Sequence, residues 1–125
     1  MTRGDMVTVA LQGDNGKLRP AVVIQSDRLA GTDGILVCLL TSVQKHTPIY
    51  RLPVEPSGHN RLRRVSEIMV EKIMAVPRAK VGVVFGSADE ATMLALNQML
   101  AIVIGLVAEP VVALSGGHEL GSRTS

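Results

Sequence analysis

The residues of this chain best suited to chemistry carry positive charge or a hydroxyl. Arg19 stands directly before Pro20, and Thr41-Ser42 closes an apolar run. Lys17, Lys45 and Lys72 are spread along the chain, and residues 59–64 (HNRLRR) are its most basic stretch. A guanidinium stays charged at any working pH and offers a planar fork that matches two phosphate oxygens. By pattern alone, Arg19 reads more simply as a surface arginine opening a strand. Thr41 reads as a strand-end threonine capping its own backbone.

Acid–base and metal chemistry find little support. His46, His59 and His118 titrate near neutral pH as a class, but His118 falls in a polar tail and His46 reads as a solvated loop residue. Cys38 is the sole cysteine, so neither an internal disulfide nor a thiolate cage can form. It lies in the apolar run 35–40, where a thiol packs as a small core residue. No His, Cys, Asp or Glu spacing reads as a metal site, and no metal or cofactor is expected.

The elements that would position these groups fit one domain of 125 residues. Apolar residues make up 46% and charged ones 19%, which excludes global disorder. The mean hydropathy of +0.30 is high for so small a soluble domain, yet no run of about 18 apolar residues could span a membrane. A buried subunit interface is the expected home for the excess. The start, Met1-Thr2-Arg3-Gly4-Asp5, has no secretion signature, so a cytoplasmic protein is expected. A net charge of +2 permits a polyanionic partner without requiring one.

Punctuation in the first half predicts short antiparallel strands at 6–11, 21–25 and 35–40, the last two buried on both sides. A polar, Gly-rich loop, 12–17, separates the first two. Residues 49–54 read as an edge strand because Pro53 cannot donate to a ladder. One or two strands follow over 65–76, and 81–85 is either a strand or a lead-in. Ser87-x-x-Glu90 has the form of a capping box, and Met93, Leu96, Leu100, Val103 and Ile104 recur on one helical face. A mostly β (α+β) domain over 1–109 is expected, ahead of a polar tail at 110–125 expected to be disordered.

Four ordered segments resemble the MazF/PemK toxins of bacterial type II toxin–antitoxin systems. They are Arg3-Gly4-Asp5-Met6-Val7 with Arg19-Pro20-Ala21-Val22-Val23-Ile24, then Leu39-Leu40-Thr41-Ser42, then Ser66-Glu67-Ile68-Met69-Val70-Glu71-Lys72-Ile73, and the helix ending Ile102-Val103-Ile104-Gly105-Leu106. The resemblance spans roughly residues 3 to 107. It implies a small SH3-like antiparallel barrel with a C-terminal helix, a homodimer, a cognate antitoxin, and metal-independent cleavage of single-stranded RNA at short motifs. In that reaction the RNA's 2′-hydroxyl attacks the adjacent phosphorus.

The resemblance also implies roles. Arg19 would stabilise the phosphorane, where electrostatics commonly dominates, and Thr41 would position and hydrogen-bond it. Ser42 is an understudy, because strand alternation should turn it to the opposite face. Lys45 and Lys72 would add phosphate contacts. The loop bearing Gln12, Asp14, Asn15 and Lys17 would gate the groove, with Asp14 and Asn15 reading base edges. The general base is left open. Tyr50 and Phe85 are the only aromatics, so RNA would be held mainly through charge, and binding should weaken steeply with salt. Two alternatives share the fold: a CcdB-type gyrase poison, disfavoured by the absence of Trp, and a non-catalytic RNA-binding barrel.

Overall fold

Runs of apolar residues without polar alternation belong in the middle of a sheet, where both faces are covered. In the computed structural model, which describes residues 1–13 and 15–108, two such runs form the central strands β2 (Leu18–Val23) and β3 (Gly34–Thr41). Their side chains alternate between two cores. Ala21, Val23, Val37 and Leu39 enter one, while Val22, Cys38 and Leu40 enter the other. The expectation of burial on both sides is met.

Around this pair lie β1 (Asp5–Ala10), β4 (Arg51–Val54), β5 (Ser66–Pro77) and β6 (Val81–Ser87), in one antiparallel sheet ordered β4-β5-β3-β2-β1-β6. The sheet is not a closed barrel. β4 and β6 remain its two edges, and β4, with Pro53 inside it, is only four residues long. At the β6 edge the chain instead makes a loop contact: the Ser87 N–H donates to the His59 carbonyl at 2.8 Å.

Residues 66–77 form one strand, bent midway. Cys38 pairs with Ile73 but Leu40 pairs with Ile68, so extra β5 residues bulge between them. The bulge lets Glu71 and Lys72 reach the surface from within an apolar segment.

The helix α1 (Glu90–Val103) covers the second core through Leu96, which is fully buried. Met93, Leu100 and Val103 pack beside it. Its first residue differs from the capping-box expectation. Asp89, not Ser87, is the N-cap, accepting from the Thr92 N–H at 2.8 Å. Ser87 is already committed as the last residue of β6 and to His59. Ile104, expected on the buried face, is instead the exposed C-cap. Gly105 follows with φ +84, and Leu106 N–H bonds back to Ala101, the left-handed ending that glycine permits.

Arg3 ties the start of the chain to this frame. Its backbone N–H donates to Asp27, its Nε to the Ile24 carbonyl and its Nη2 to Asn97 on α1. No helix among the described residues is long and apolar enough to cross a membrane. Asp14 and the expected tail, 110–125, lie outside the described residues.

Candidate nucleic-acid cleft

A cleft of about 840 Å³ opens where β2 and β3 part company. The ladder between them runs only from Ala21–Leu39 to Val23–Val37. Toward the other end, Leu18, Arg19 and Pro20 pair with β1 alone, while Leu40 and Thr41 pair with β5. Pro20 brings no backbone N–H to either neighbour. Continuing the register two positions past Ala21–Leu39 sets Arg19 against Thr41, and both line the cleft.

Thr41 also shows the local role its position suggested. Its Oγ1 accepts the Val43 N–H at 3.1 Å, which turns the chain sharply as it leaves β3. That turn puts Ser42 into the same cleft. Strand alternation, which should have sent Ser42 to the opposite face, ends at Thr41.

The chain after the turn is fastened from below. Glu67, paired with Thr41 across the β3–β5 ladder, is 0% exposed. Its carboxylate accepts the Lys45 and His46 N–H groups at 3.0 and 3.1 Å. Arg51, 4% exposed, reaches Glu67 at 3.5 Å and Glu71 at 2.8 Å. The Lys45 N–H is the largest influence holding the Glu67 carboxyl below its ordinary range, with the His46 N–H and Arg51 assisting against burial. For Glu71 the largest influence is burial, which pushes upward; the Arg51 hydrogen bond and charge outweigh it and leave the carboxyl lowered.

Every charged side chain that lines the cleft among the described residues is a cation. Lys17 and Arg19 lie on the β2 side, and the β4–β5 connection adds Arg61, Arg63 and Arg64. No Asp or Glu lines it among the described residues. A chain of net charge +2 thus gathers five of its 13 Lys and Arg residues in one concavity. Thr8, Val83 and Phe85 supply the apolar surface from β1 and β6.

The other sequence-derived candidates lie elsewhere. Lys45 and Lys72 are exposed and do not line the cleft. Lys45 is fixed by its backbone N–H to Glu67, and Lys72 sits on the β5 bulge. Gln12 and Asn15 are exposed on the loop ahead of Lys17, Asn15 with φ +53, and neither lines the cleft. Asp14 is outside the described residues. His46 and His59 are exposed and also outside the cleft. Sequence reasoning noticed the basic run 59–64 but gave its arginines no role. The run itself was the available signal.

The model of the PemK-like, MazF-like toxins of type II toxin–antitoxin systems matches residues 2–104. The chain belongs to that family. A curated relative from Mycolicibacterium smegmatis, named "Probable endoribonuclease MazF", is 33% identical to the toxin over 107 residues, covering 85% of this chain and 98% of the relative. The fold matches a mycobacterial endoribonuclease solved in complex with its cognate antitoxin, with a TM-score of 0.71 at 20% identity, covering 86% of this chain and 97% of that one. It also matches the Deinococcus radiodurans MazE–MazF complex (Form-II), with a TM-score of 0.68 at 18% identity, over 86% of the toxin and 97% of that chain.

Proposed function

We propose that the toxin is a metal-independent endoribonuclease that cleaves single-stranded mRNA at short motifs in the cytoplasm, arresting translation and growth. The observation that carries this reading is that Arg19 and Thr41 both line the cleft where β2 and β3 part, together with four further cations and, among the described residues, no carboxylate. The naming of the M. smegmatis relative as an endoribonuclease supports it.

In the proposed reaction the 2′-oxygen bonds to the adjacent phosphorus, and the bond from phosphorus to the 5′-oxygen breaks. A base receives the 2′-hydroxyl proton, and the leaving 5′-oxygen gains one. The products are a 2′,3′-cyclic phosphate and a 5′-hydroxyl end. Arg19 offsets the charge on the phosphorane oxygens, which grows toward the transition state. Thr41 accepts from Val43 through a lone pair, and its hydroxyl hydrogen can still donate to a phosphate oxygen. Lys17 and Ser42 hold the strand beside them, and Gln12, Asp14 and Asn15 would be further contacts for RNA that extends past Lys17. Lys45 and Lys72 would meet only RNA that extends beyond the cleft.

The partners proposed are a cognate antitoxin, as in the mycobacterial and Deinococcus complexes, and a second copy of the chain. Leu94, Ile104 and Leu106 at the helix and Val83 and Val84 on β6 are exposed apolar residues that a homodimer would cover.

Incubating the purified toxin with mixed-sequence single-stranded RNA in EDTA tests the reaction. Cut RNA with 5′-hydroxyl ends is expected. Loss of cutting in EDTA, or 5′-phosphate ends, would exclude this chemistry.

A further inference from the structure

Resting on the RNA reading above, we infer that residues 57–64 form a second phosphate subsite, separate from the Arg19–Thr41 position and engaging the RNA backbone away from the cut. Three observations meet there.

The loop backbone is held rigid from within. Asn60, 5% exposed, accepts the Ser57 and Leu62 N–H groups on its Oδ1 and donates its Nδ2 to the Glu55 carbonyl at 2.8 Å. Ser57 Oγ accepts the His59 and Asn60 N–H groups, and the Arg61 N–H donates to the Ser57 carbonyl. Leu62 anchors the loop in the second core.

The loop is also seated against β6. A Cβ on Gly86 would stand 2.5 Å from the Asn60 carbonyl oxygen and 2.6 Å from that of His59. Only glycine allows this approach. Arg61 itself is held at φ +58, a left-handed conformation unfavourable for a non-glycine residue, which persists because its neighbours fix it.

The charged ends, by contrast, are uncommitted. Arg61, Arg63 and Arg64 are exposed, and their guanidiniums make no hydrogen bond or ion pair among the described residues. Three like charges within four positions repel, and no acidic side chain among the described residues lines the cleft to relieve them. A fixed backbone presenting uncommitted guanidiniums into the cleft that holds Arg19 is organised for an anion arriving from solution. Because the two cationic groups share one concavity, the ligand is a polymer of phosphates that passes both.

The test compares the parent with Arg63→Ala/Arg64→Ala and with Arg63→Lys/Arg64→Lys. Each binds an uncleavable RNA carrying a 2′-deoxy sugar at the cut, across a series of NaCl concentrations. Loss of each phosphate contact should flatten the plot of log K against log salt by about 0.7. The alanine pair should therefore show a shallower slope and a Kd raised about tenfold or more, with the lysine pair recovering most of the slope. On the all-ribose RNA, the alanine pair's single-turnover rate at saturating RNA should fall far less than that of Arg19→Ala. Parental slope and Kd in the alanine pair, with the parent cutting RNA, would overturn the subsite alone and leave the loop to another partner such as an acidic peptide. A parent that neither binds nor cuts RNA would overturn the proposed function and the subsite together.

Discussion

Thr41 sits opposite Glu67 in the β3–β5 ladder, and the buried Glu67 carboxylate grips the two N–H groups four and five residues after Thr41. The strand end in the cleft and the loop behind it are thereby joined through one side chain. His46 is held there at φ +55, a conformation a free loop would leave. Replacing Glu67 with Gln leaves one acceptor oxygen for two donors and points an NH₂ at groups that are themselves donors. We expect Glu67→Gln to slow RNA cleavage about tenfold and to lower Tm, although residue 67 does not line the cleft. Parental rate and Tm together would show that the grip is not used.

The same network sets the acid limit of stability. Glu67 and Glu71 both lie below the ordinary 4.5 in the folded chain, and Asp89, held chiefly by the Thr92 N–H, lies below 3.8. A depressed carboxyl contributes fully above its unfolded pKa, and that contribution is lost as pH falls through the folded value. Tm should therefore stay nearly level from pH 7 to about 5 and fall below about 4.5. Glu67→Gln should blunt that fall. A Tm that rises on acidification below 4.5 would contradict the assignment.

Gly86 carries a prediction about packing. An added methyl group there meets backbone oxygens, which cannot swing aside as a side chain would. Gly86→Ala should cost about 1–3 kcal/mol, the usual range for overpacking, measured by urea unfolding. An unchanged midpoint would mean that the β4–β5 connection does not press on β6.

Cys38 should be chemically silent in the native toxin. Burial pushes its thiol up to about 12, Glu71 adds to the rise, and Arg3 only partly opposes it. A thiol reagent at pH 8 should find almost nothing to modify until guanidinium unfolds the chain. Rapid labelling of the native protein would show that this core opens.

How far the sequence carried the fold depended on whether a feature was local. The runs at 21–25 and 35–40 declared their central, doubly buried position because continuous apolar residues have few other places to go. Pro53 marked an edge for an equally local reason. The failures came where a distant contact decided. Ser87 had the form of a cap, but His59, far away in the chain, held its N–H. The site was less legible still. No spacing within the sequence brings Arg19 and Thr41 to one cleft; that follows from where the β2–β3 ladder stops, and in the sequence only the family resemblance joined them. The basic run 59–64 was visible, but its place in the cleft depends on the loop reaching across to β6. Lys45 was suggested by its nearness to Thr41 and Lys72 by the family resemblance; neither lines the cleft, because one lies on the loop after the Thr41 turn and the other on the β5 bulge.

Single-turnover cleavage of a defined RNA in EDTA, by the parent and by Arg19→Ala, bears most directly on the whole account. A parental reaction giving 5′-hydroxyl ends, with the variant slower by about 10²–10³, is the predicted result. Arg19→Ala cutting as fast as the parent would contradict it.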